Sequence, residues 1–110
     1  MSIVEVLVAL VLLAIGLLGV AGNGAIAVRA SASAARERRA LQRASDRVAA
    51  LRVQGCAAAR SGTLADRGAA LAERWTVGPI TGGAALVDAE VRWRAPAGER
   101  VVLLRAGLLC

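Results

Sequence analysis

Polar and apolar residues follow three different periods along this chain. Residues 6–22 carry no charged or polar side chain; Glu5 precedes the run and Asn23 is the first polar residue after it. An apolar helix of roughly 20 residues crosses a bilayer core, and residues 1–28 meet that length, so a membrane-spanning helix is predicted there. From residue 25 to 54 there is no Pro or Gly, and Ala, Arg, Leu, Glu and Gln dominate; these are strong helix formers. Leu41, Ala44, Val48 and Leu51 recur at spacings of three and four, one apolar stripe on a charged helix, with Arg36, Arg39, Arg43 and Arg47 read onto the opposite side. Gly55 then supplies a C-terminal stop. The pattern predicts one helix over about residues 2–54, its first half in lipid and its second half (29–54) amphipathic.

Beyond residue 55 the period changes. Residues 55–71 form a small-residue connector, "GCAAARSGTLADRGAAL". "AERWTVGPI" places Trp75 and Val77 on one face, and "ALVDAEVRWRA" alternates Val87, Ala89, Val91 and Trp93 against Asp88, Glu90, Arg92 and Arg94, the mark of a half-buried strand. "ERVVLLRAGLL" is a third apolar run, and "PITGGA" and "APAGE" supply turns between the runs. The predicted fold class is α+β. A long N-terminal helix packs its outer half on a three-stranded antiparallel meander over residues 72–110. Residues 1–28 are the membrane segment and 29–110 the small domain.

That small domain is too short for a large core, and a staple is expected. Cys56 lies at the helix end and Cys110 is the last residue of the sequence. A bridge between them would close a loop of about 54 residues, contributing roughly 2–4 kcal/mol; two separate buried thiols are the alternative.

Charge and composition narrow the chemistry. All 14 basic side chains are arginines and lie from Arg29 onward, with seven of the eight acids. Lys, His, Tyr and Phe are absent, which removes most acid–base and metal chemistry. Two cysteines without histidine do not make a usual zinc site, and no phosphate loop, nucleophile elbow or paired carboxylates appear. Neither an enzyme nor a bound cofactor is expected. Arg29, Arg36, Arg38 and Arg39 follow the apolar run, which by the positive-inside rule would hold the domain in the cytoplasm, whereas a disulfide belongs in an oxidising compartment. A basic leader removed from in front of Met1 reconciles the two. A cleaved secretory signal is not expected, because Arg and Lys are missing before the run and the run is too long.

"SIVEVLVALVLLAIGLLG" resembles the N-terminal motif of type IV pilins and type II secretion pseudopilins. The resemblance covers about the first 25 residues, with Met where the family usually has Phe and Gly22 where many major pilins have Pro. It implies that a prepilin peptidase removes a leader and methylates the amine of Met1. It also implies storage in the inner membrane with the domain in the periplasm, and assembly with other pilin or pseudopilin subunits. A charge in hydrocarbon costs at least ~2.5 kcal/mol. By resemblance, Glu5 neutralises the amine of a neighbouring subunit's Met1; the alternative is a first-turn carboxylate favoured by the helix dipole. Gly16, Gly19, Gly22 and Gly24 each cost up to ~1 kcal/mol in a helix. They allow close helix packing or, by the resemblance, local loss of helicity during assembly.

The arginine face is expected to be solvated or to contact other subunits. Glu37 and Asp46 interrupt it, so nucleic acid is not the expected partner. The expectation is therefore a minor pilin or minor pseudopilin. A non-polymerising single-span membrane protein and a DNA-uptake pilin are the alternatives.

Overall fold

The computed structural model describes residues 2–110. It contains one helix, α1 (Ile3–Gln54), and four strands: β1 (Gly62–Asp66), β2 (Leu71–Val77), β3 (Ala84–Ala95) and β4 (Gly98–Leu109). The chain forms two compact units, Met1–Ala34 and Ala35–Cys110. From Ile3 onward the first unit is helix. Among the described residues its apolar side chains are all exposed, and α1 is long and apolar enough to cross a membrane.

α1 begins at a cap that residue types explain. The Ser2 side-chain oxygen accepts from the Glu5 N–H at 3.3 Å, and the Ser2 carbonyl accepts from Glu5 at 3.1 Å. Ser at the cap followed three residues later by Glu is the signature of a capping box. The helix ends where expected. Gly55 takes φ +77°, in the left-handed region that glycine enters without a Cβ clash, and its N–H donates to the Leu51 carbonyl at 3.1 Å.

In the second unit the strands form an antiparallel meander in the order β1-β2-β3-β4. The expected three strands are thus corrected to four. β1 lies inside the stretch read as a connector, and pairs Gly62 with Trp75 through Asp66 with Leu71. The β3 alternation is as expected: Val87, Ala89, Val91 and Trp93 are buried, and Asp88, Glu90, Arg92 and Arg94 lie on the other face. Gly62 has no room for a side chain, since a Cβ there would stand 2.6 Å from the Trp75 ring.

The inner face of the sheet is covered by Ala40, Ala44, Val48 and Leu51 of α1. Leu41, read as the first member of this stripe, is 44% exposed and Ala40 takes its place. At 3.6 residues per turn Ala40 lies about 40° from the centre of the stripe and Leu41 about 60° from it on the other flank. Cys56 and Cys110 form a disulfide with a Cα–Cα distance of 5.3 Å.

Candidate functional site

Two constellations of side chains stand out, one in each unit. The first runs along α1 between residues 5 and 34. At about 100° per residue, an arc about 80° wide holds Glu5, Ala9, Leu12, Gly16, Gly19, Asn23, Ala27, Ala30 and Ala34. Every member except Leu12 is small or polar, while the remaining circumference between residues 3 and 28 is mostly Leu, Val and Ile. Glu5 and Asn23 lie on nearly the same line, 18 residues and about 27 Å apart, close to the ~30 Å thickness of a bilayer core. Helices associate in lipid through small residues and interhelical hydrogen bonds, and this arc supplies both.

The expected assembly residues divide on this geometry. Glu5, Gly16 and Gly19 share the arc; Gly22 and Gly24 lie outside it, and all four glycines sit in unbroken helix with open space around them. Met1 lies outside the described residues. The Glu5 carboxylate has no hydrogen bond or ion pair among the described residues. Ser2, which caps the helix, had a signal in the sequence in the form of the Ser-x-x-Glu spacing.

The second constellation is a charged seam between α1 and the β1–β2 edge. Glu73 is only 6% exposed and faces the helix. Arg47 donates to it through Nε at 3.3 Å and Nη2 at 3.0 Å, and Arg43 lies 3.5 Å away. Arg43 also donates to Asp66 at 2.8 Å. The Arg47 guanidinium stacks 3.9 Å from the Trp75 ring centroid, while the Trp75 indole N–H donates to the Arg60 carbonyl at 2.8 Å. The reading of Arg43 and Arg47 as opposite the apolar stripe is therefore corrected. They lie only about 100° and 60° from its centre, and from that flank their long stems reach the sheet.

A buried carboxylate is tolerable only when paired and hydrogen-bonded. Glu73→Gln keeps the shape but removes the charge that compensates Arg47 and part of Arg43. Hydrogen bonds to charged groups contribute ~1.5–3 kcal/mol, so a loss of about 2 kcal/mol is expected. Arg43→Met should cost less than Arg47→Met, because Arg43 is the more exposed of the two. Urea unfolding of the three variants checks the order.

The aspartates make stability depend on acid. Asp66 accepts from the backbone N–H groups of Ala69 and Gly68 and from Arg43; the Ala69 bond, then Arg43, holds its carboxyl below the ordinary value. Arg105, donating to Asp88 at 2.6 and 2.9 Å, does the same for Asp88. A folded pKa below the unfolded one contributes stability above the unfolded value of ~3.9. That stability is lost as pH falls through 3.9 toward the folded value. The second unit is expected to hold its stability down to about pH 5 and lose it below. Asp66→Asn/Asp88→Asn should flatten that slope in urea midpoints measured from pH 7 to pH 3.

No protein-family model, curated protein or solved structure matches this chain. Its reading rests on the two constellations and on the sequence motif that contains Glu5.

Proposed function

We propose that this chain is a structural subunit of a type IV pilin-like filament, a minor pilin or minor pseudopilin. In this reading it is held in the inner membrane by α1 and assembles through that helix. The observation that carries the reading is the small and polar arc that includes Glu5, on a helical segment (residues 3–28) whose apolar side chains are all exposed. A lone carboxylate in a bilayer-length apolar segment needs a compensating charge, and the amine of a neighbouring subunit's first residue supplies one. Gly16, Gly19 and the alanines of the arc let a second helix approach, and Asn23 offers an interhelical hydrogen bond at the other end. The Cys56–Cys110 disulfide favours a periplasmic domain, since such bonds persist in oxidising compartments. The mechanism is assembly rather than catalysis.

One observation favours a second reading. Ser2 and Glu5 stand at the cap and third positions of α1, where a glutamate is favoured by the helix dipole alone. On that reading the chain is a single-span membrane protein that never polymerises.

The mass and sequence of the N-terminal peptide, from protein purified out of its native membrane or filament fraction, separate the two. An N-methylated Met1 is the expected result. A formylated or unmodified start, or residues preceding Met1 in the mature protein, would overturn the filament reading.

A further inference from the structure

Four carboxylates of the second unit are committed to arginines: Asp66 and Glu73 to Arg43 and Arg47, Asp88 to Arg105, and Glu90 to Arg92. Three other arginines line a hollow of about 210 Å³ without any carboxylate in its wall. Arg36 and Arg39 come from the first turns of α1 in this unit, and Arg94 from the end of β3; Leu71 and Trp93 form an apolar floor. All three arginines are exposed and none forms an ion pair among the described residues. The nearest acids by chain or register are Glu37, beside Arg36, and Glu99, opposite Arg94; neither lines the hollow. A neighbouring depression lined by Arg67, Arg92 and Arg94 also contains Asp66 and Glu99, so its charge is mixed and it does not select an anion.

We propose that the hollow formed by Arg36 and Arg39 over Leu71 and Trp93, with Arg94 at its rim, binds a phosphate group. Guanidinium forks match phosphate oxygens with paired hydrogen bonds. Arg36 and Arg39 share one concavity and repel each other until an anion occupies it. The hollow is several times the ~30 Å³ share of one water, so it has room for more than a solvent molecule. The apolar floor favours a phosphate ester carrying carbon over the bare ion.

An anionic phospholipid headgroup and a free phosphate share this chemistry. Position in the sequence favours the headgroup: Arg36 follows the apolar segment, which ends at residue 28, by eight residues, and anionic lipid surfaces attract basic residues beside a membrane segment. That preference rests on α1 lying in a membrane; the hollow itself does not depend on the filament reading, and its test leaves N-terminal processing untouched.

The full chain in a neutral detergent is titrated with dihexanoyl phosphatidylglycerol, with dihexanoyl phosphatidylcholine and with inorganic phosphate. Binding is followed by tryptophan emission, to which only Trp75 and Trp93 contribute. Phosphatidylglycerol is expected to saturate. Arg36→Gln/Arg39→Gln should weaken it at least tenfold, while Arg52→Gln/Arg74→Gln, which removes the same charge elsewhere on the unit, should leave it within twofold. Saturation by phosphatidylglycerol alone identifies a lipid headgroup; saturation by inorganic phosphate with the same arginine dependence identifies a free phosphate, and both uphold the site. Equal weakening by the two double variants would overturn it. So would phosphatidylcholine binding as tightly as phosphatidylglycerol, or no saturation with any probe.

Discussion

The Cys56→Ala/Cys110→Ala double variant is expected to lose about 4 kcal/mol of stability in the second unit, lowering its urea midpoint and steepening the slope, because the unfolded chain without the bridge exposes more surface. The bridge joins residues 54 apart. Closing a loop of that length removes enough unfolded-chain entropy to favour the folded state by about 4 kcal/mol in the chain-entropy model. A unit of 76 residues (35–110) is ordinarily stable by roughly 4–11 kcal/mol, so the bridge is a large share of the whole. The composition of the core makes the dependence stronger. Its largest fully buried side chains are Leu108, Val87 and Val91, and four of its members are alanines of α1 and β3. Cys110 follows Leu109, the last residue of β4, and Cys56 follows the helix stop at Gly55. The bridge therefore fastens the terminus of an edge strand to the end of the helix that covers the sheet. Tryptophan emission during urea unfolding of the full chain in neutral detergent measures the effect, with the slope reporting the surface exposed. A loss under 1 kcal/mol would mean that the core and the Glu73 seam hold the unit without the bridge.

The parts of this fold that were legible in the sequence are those whose period is unambiguous. β3 alternates over ten residues, and its buried and exposed positions fell as expected because one face meets the helix and the other meets water. Gly55 was legible because helix ends use left-handed glycine so often. β1 was not: Gly62-Thr63-Leu64-Ala65-Asp66 is short, at the edge of the sheet and half-exposed, so it carries little alternation. Its turn hides as well. The left-handed residue is Ala70 (φ +53°) and not Gly68, which removes the usual glycine marker.

The helix stripe was misplaced by one position because Ala40 is apolar only by being small, while Leu41 is the more conspicuous residue. Arg43 and Arg47 were misread for a different reason. A charged residue on the flank of an apolar stripe is invisible as an inward contact until a buried acid, Glu73, is known to lie opposite. At the candidate assembly face, the resemblance of the N-terminal motif picked out Glu5, and residue type picked out the glycines. Angle decides among them: Gly16 and Gly19 fall on the Glu5 line and Gly22 does not.

Glu5→Gln is expected to leave α1 formed and inserted, and to abolish entry of the subunit into filaments. Glutamine serves the third position of a capping box as glutamate does, so the start of the helix survives. Removing a charge from the apolar segment makes insertion easier, by up to the ~2.5–3.5 kcal/mol that such a charge costs. Both effects leave the membrane-held subunit intact. Assembly responds in the opposite sense. If Glu5 compensates a neighbour's amine inside a packed helical core, glutamine leaves a buried cation without its partner. Breaking a buried pair in this way costs ~3–5 kcal/mol, at about 1.4 kcal/mol for each factor of ten a loss of about two to three and a half orders of magnitude at each interface. Gly19→Leu, which places a large side chain on the same arc without touching the charge, should also block packing while leaving insertion unaffected. Gly22→Leu, off the arc, should be tolerated far better. Immunodetection of each variant in sheared filament and in membrane fractions reads the outcome. If Glu5→Gln enters filaments at the level of the unaltered chain, or if neither chain is ever found there, the carboxylate is a first-turn cap and α1 is simply an anchor. If Glu5→Gln fails while Gly22→Leu assembles, the charge and the small-residue arc act as one surface, and the cost of carrying Glu5 in an apolar helix is repaid when a neighbouring subunit docks.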